Sequence, residues 1–95
     1  MADIQVEPTG EQDGRLTFVV TVGQAGDTTT HHVTLGRSDL DRWSSSDESP
    51  DGFVRRCFEF LLEREPKESI LPRFDVTEIQ SYFSSFEEDI RRMER

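Results

Sequence analysis

From Leu16 to Val22 the chain alternates. Leu16, Phe18, Val20 and Val22 fall on one side and Thr17, Val19 and Thr21 on the other, the period-two pattern of a half-buried strand. Ile4 and Val6 begin a shorter alternation before it, and His31, Val33 and Leu35 carry one after it. The segments Gly10 to Gly14 and Gly23 to Asp27 supply turn residues between them. Connections this short suit hairpins rather than crossovers. Residues 3–36 are therefore expected to form a three-stranded antiparallel β-meander with one apolar face and one wet, Thr-rich face.

Past residue 36 the period changes. Ser38 reads as an N-cap, and Leu40 and Trp43, three apart, suggest a short helix near 38–44 that plugs the end of the sheet. The stretch 44–49 is acidic, Ser-rich and without apolar anchors, which is the composition of a loop. Ser49-Pro50 then opens a main helix near 50–64, with serine at the N-cap and proline at the first helical position. In it Phe53, Val54, Cys57, Phe58, Phe60, Leu61 and Leu62 spread over an arc of ~200°, about twice a single-face stripe. The narrow remaining face carries Arg55, Arg56, Glu59 and Glu63, with Arg55 and Glu59 at the i,i+4 spacing of a surface ion pair.

Pro66 stops this helix, and Ser69 to Pro72 reads as a connector whose Ile70 and Leu71 tuck under the core. Asp75-Val76-Thr77-Glu78 has the form of a capping box, flanked by Phe74 and Ile79 in the two staple positions. A second main helix is expected near 76–93, with Ile79, Tyr82, Phe83, Phe86, Ile90 and Met93 in one stripe of ~120°. The predicted fold class is α+β, a meander followed by helices packed on one face, in a single domain over residues 1–95. The wide arc has two readings. Sheet and last helix cover it from both flanks, or one edge stays open and pairs with a second copy or another protein. Phe53, Phe58 and Leu62 mark its edges and are the candidate interaction surface.

Composition narrows the partners. With 20 acidic against 11 basic side chains the net charge is −9, which repels phosphate backbones and anionic lipid; neither nucleic acid nor membrane is expected as a partner. Lys67 is the only lysine and asparagine is absent, a bias that fits a GC-rich genome better than a high-salt cytoplasm. The N-terminus has neither a basic region nor an apolar run, so no secretory signal is expected. One cysteine excludes an internal disulfide framework, and the expected location is cytoplasmic.

The candidate chemistry is thin. Cys57 lies mid-helix at the centre of the apolar arc, where burial suppresses the thiolate, so it reads as a core residue. His31 and His32 are adjacent on a strand and point to opposite faces, which prevents joint ligation of one ion; either could still act with nearby carboxylates as a metal or small-ligand site. Glu87-Glu88-Asp89 fans out around a helix, and the segment from Asp47 to Gly52 lacks the spacing of an EF-hand loop. The glycines form neither a dinucleotide-binding nor a phosphate-binding motif, and no nucleophile elbow surrounds Ser44 to Ser46. Arginines dispersed through the helical half argue against a nucleic-acid mimic.

Phe58-Glu59-Phe60-Leu61-Leu62-Glu63-Arg64-Glu65-Pro66, followed by Ser69-Ile70-Leu71, Phe74-Asp75, Ile79 and Tyr82-Phe83, resembles the tail of a group of small bacterial proteins with no assigned activity. The resemblance covers about a third of the chain and implies a bacterial, cytoplasmic origin, with no catalytic residues to carry over. The residues themselves suggest a non-enzymatic protein-interaction or accessory module without cofactors, acting on an unidentified protein partner or by self-association. The alternative is a metal- or small-ligand-binding domain built on His31 or His32.

Overall fold

The computed structural model describes residues 3–44 and 48–92. Its class is α+β. Three strands run antiparallel in chain order, β1 (Ile4–Gln12), β2 (Arg15–Gln24) and β3 (Asp27–Gly36). The first hairpin turns on Asp13 and Gly14, at φ 54° and 77°, the left-handed pair that matches strand twist across a two-residue connection. Val20 faces His31 and Phe18 faces Val33 on the inner side, while Val19 faces His32 and Thr21 faces Thr30 on the outer. Phe18, Val20, Val22, Val33 and Leu35 are buried, whereas Thr30 and His32 are exposed.

Helix α1 (Arg37–Trp43) follows β3 directly, with Gly36 at its N-cap and no side-chain cap, so Ser38 lies inside the helix rather than at its start. Helix α2 (Pro50–Leu62) begins as its sequence implies. Ser49 accepts a hydrogen bond from the Gly52 N–H at 3.2 Å and Pro50 stands in the first turn. The helix ends two residues short of the expected 64, in a turn where Arg64 and Glu65 N–H groups both donate to the Leu61 carbonyl. Residues 45–47 of the expected Ser-rich loop and Met93 of the expected last stripe lie outside the described residues.

Three departures from the sequence reading matter. First, the connector is not plain coil. A 3₁₀ turn (Lys67–Ser69) leads into β4 (Arg73–Asp75), which adds to β3 in parallel and makes the sheet four-stranded and mixed. His32 N–H donates to the Pro72 carbonyl and Val76 N–H to the Thr34 carbonyl, bracketing this pairing. Second, the expected helix 76–93 is two helices, α3 (Thr77–Tyr82) and α4 (Phe86–Arg92). Phe83 is extended, at φ −128° and ψ 95°, and the bend turns both Phe83 and Phe86 edge-on to Phe60, with ring centroids 5.7 and 5.2 Å away.

Third, Arg56 belongs to the interior. It is 7% exposed, its Nε and Nη2 donate to the two Glu48 carboxylate oxygens at 2.9 and 2.7 Å, and it also donates to the Ile90 and Trp43 carbonyls. One guanidinium thus ties α2 to main-chain carbonyls in the last turns of α1 and α4. Arg55, by contrast, is exposed, and its spacing to Glu59 does not close into an ion pair. Arg64 adds a further link between α2 and α4, 3.8 Å over the Phe60 ring and 3.0 Å from Asp89.

Candidate functional site

The turn that closes α2, the connector and α3 surround a concavity of about 240 Å³. Its floor is apolar because each element sends one buried side chain inward: Leu61 from α2, Ile70 from the connector, Phe74 from β4 and Ile79 from α3. Helix α3 takes Val76 rather than Asp75 as its N-cap, with no side-chain cap, but the residues of the expected capping box still brace the angle at which it leaves β4. Glu78 accepts the Asp75 N–H at 2.8 Å, and Asp75 accepts the Thr77 N–H and hydroxyl at 3.1 and 2.6 Å. Asp75 is also gripped by the Thr34 hydroxyl at 2.6 Å and by Arg15 at 2.8 Å, which fixes the base of the pocket to the sheet.

The rim is where apolar surface meets water. Leu71 is 39% exposed and Tyr82 67% exposed, the two large hydrophobic side chains most open to solvent among the described residues. The bend after Tyr82 explains the second. A continuous helix would have kept Tyr82 in the buried stripe, but Phe83 and Phe86 fill the space against Phe60 and leave Tyr82 outside. Leu71 is held by His31, whose Nδ1–H donates to the Leu71 carbonyl at 2.8 Å.

Two carboxylates share the lining, Glu65 and Glu78. Among the described residues neither makes an ion pair, and the cations flanking Glu65 in sequence are engaged elsewhere: Lys67 by Asp27 and Glu68, Arg64 by Glu63 and Asp89. Burial pushes the Glu65 carboxyl above its ordinary value, with no positive charge to offset it. The cavity is smaller than the roughly 300–1,000 Å³ of small-molecule sites, and suits one or two side chains of a larger ligand.

The residues expected to mark an interaction surface lie elsewhere. Phe53 and Phe58 are fully buried, and Leu62 alone of the three is partly exposed. Sheet and helices therefore cover the wide arc of α2 within the chain except at Leu62. His31 is 2% exposed with both ring nitrogens engaged, Nδ1 by Leu71 and Nε2 by the Thr29 hydroxyl at 2.8 Å, and its ring lies 5.4 Å from Phe58. His32 is on the open face of the sheet beside Val19 and Arg73. Among the described residues no group of three or more His, Cys, Asp or Glu could hold a metal ion. Cys57 is buried, and desolvation drives its thiol pKa far upward.

No helix among the described residues is long and apolar enough to cross a membrane. No family model, no curated protein and no solved structure matches the chain.

Proposed function

We propose that this protein is a non-enzymatic interaction or accessory module that binds another protein through the pocket between the end of α2, the connector and α3. The observation that carries the reading is the pairing of an apolar floor with exposed Leu71 and Tyr82 at its rim. Tyrosine at the edge of an apolar concavity is the usual anchor of a protein contact, because it offers a large rigid surface and a polar tip. The volume fits a side chain of the partner rather than a whole cofactor. Bacterial, cytoplasmic origin belongs to the same proposal and rests on the sequence resemblance. A metal site on His31 has no support in the geometry, since its two nitrogens are spent inside the fold, and His32 stands on the open face beside Val19 and Arg73, away from this pocket's lining.

A photo-crosslinking side chain placed at Tyr82 tests the reading in extract of the source organism. A discrete adduct is expected from position 82 and not from position 19 on the open sheet face. Leu71→Asp, in a chain that still melts cooperatively, should abolish the adduct. An adduct indifferent to Leu71→Asp, or one formed equally at position 19, would remove the pocket from consideration.

A further inference from the structure

Resting on that reading of the pocket, we infer that its occupant is a cationic segment, an apolar anchor residue with lysine or arginine within a few positions, and that Glu65 and Glu78 are the residues that select the charge. The argument starts from what the fold leaves unpaired. Glu65, half-buried at the edge of an apolar cavity, loses part of its hydration and persists there at a cost unless a cation meets it, and the exposed Glu78 adds a second negative charge at the same edge. The two cations that flank Glu65 in sequence are already committed, Arg64 to Glu63 and Asp89 and Lys67 to Asp27 and Glu68, and Arg73 lies beside His32 on the open face of the sheet. Among the described residues Glu65 and Glu78 make no ion pair, although both line the same concavity. Glu78 has one oxygen fixed by the Asp75 N–H, so its carboxylate is held in place toward the pocket wall rather than free to swing.

An apolar side chain seated on Leu61, Ile70, Phe74 and Ile79 brings the neighbouring residues of its own chain past both acids. A lysine or arginine there would restore the missing charge partner while Leu71 and Tyr82 shield the pair from water, which strengthens it. A second copy of this chain is a poor occupant, because two bodies of net charge −9 repel. A neutral or acidic segment would bury Glu65 further without compensation.

The test is selection of phage-displayed random dodecapeptides on the full-length chain, followed by affinity measurement of the enriched peptides with wild type, Glu65→Gln, Glu78→Gln and Leu71→Asp. The expected result is enrichment of an aromatic or branched apolar residue close to Lys or Arg, about fivefold weaker binding to Glu65→Gln, the size of one partly shielded ion pair, and loss of binding to Leu71→Asp. Replacing the peptide's cation by glutamine should weaken binding to wild type, weaken it less to Glu65→Gln or to Glu78→Gln, and leave it unchanged for the double variant that carries both substitutions. Peptides that need Leu71 yet bind Glu65→Gln and Glu78→Gln as tightly as wild type would overturn the charge selection and leave the pocket standing. Enriched peptides indifferent to Leu71→Asp, or no enrichment at all, would overturn the pocket itself.

Discussion

Arg56 shows how much one side chain holds. Its position in the sequence, beside Arg55 on the polar edge of α2, suggests solvent, but its guanidinium reaches Glu48 and two main-chain carbonyls in the interior. Arg56→Met keeps the aliphatic stem but removes the guanidinium from Glu48 and from two main-chain carbonyls, so it should lower stability by about 3 kcal/mol, while Arg55→Met on the exposed side should stay within about 0.5. Urea titration of both variants checks the contrast. Asp75 and Glu65 have opposite pH signatures. For Asp75, burial opposes the charge but is outweighed by hydrogen bonds from Thr34 and Thr77 and by Arg15, so its pKa lies below the ordinary value. The stability it adds is present above about pH 4, the unfolded value, and is lost as pH falls through the lower folded value. For Glu65, burial raises the folded pKa, so the native state binds the proton more tightly and stability falls as pH rises from about 4.3 through the folded value. At pH 7 Glu65→Gln should melt above wild type and Asp75→Ala below it. Both gaps should shrink on acidification, which melting curves between pH 7 and pH 3 would register.

At the level of elements, local signals and tertiary ones separate cleanly. The meander was legible because Leu16 to Val22 keeps a period of two, broken only by the apolar Val19, and Asp13-Gly14 can turn a hairpin. The start of α2 was legible from Ser49-Pro50, and the capping box from Asp75 and Glu78, since these signals need no partner from elsewhere in the chain. β4 was not: three residues are too few to show a period, and their extended form depends on the free edge of β3. The break after Tyr82 was missed because Tyr82, Phe83 and Phe86 fit a helical stripe; Ser84-Ser85 ahead of Phe86-Glu87-Glu88 was the available start signal. The pocket depends on both, so its floor residues were visible as apolar and their arrangement was not. The second hairpin gives a sharp test of backbone constraint. At Gly23, φ is +115° and an added Cβ would lie 2.2 Å from the Asp27 carbonyl oxygen, whereas at Gly26, φ +85°, it would meet nothing within 4 Å. Gly26→Ala should cost about 1 kcal/mol for the left-handed conformation alone. Gly23→Ala should cost at least about 2, since the hairpin itself must open. At about 4–8 °C per kcal/mol for a domain of this size, thermal melts distinguish them.

For the whole molecule, the question is what stops an acidic chain with an apolar pocket from pairing with itself. The sheet edges give part of the answer. β1 carries Pro8, which donates no hydrogen bond, and a register shift between Pro8 and Gly10, with Glu7 and Glu11 along its length; β4 offers three residues. Phe53 and Phe58, which could have formed a dimer surface, are spent on the core. Among the described residues the large apolar side chains left exposed are Leu71 and Tyr82, on a rim whose acids repel an identical copy. Light scattering should therefore give the 11.0 kDa monomer at micromolar and at near-millimolar protein. A charge of −9 also acts at a distance, drawing a basic segment toward the pocket before contact and losing reach as the Debye length shrinks from about 10 Å at 0.1 M salt to about 3 Å at 1 M. Salt should accordingly slow association of a cationic peptide far more than it hastens dissociation, because the apolar anchor that holds the complex is not screened. Stopped-flow rates across that salt range separate the two effects. A dimer that forms at high protein concentration and is abolished by Leu71→Asp would instead show that the rim accepts its own kind, and that the charge is too diffuse to decide the partner.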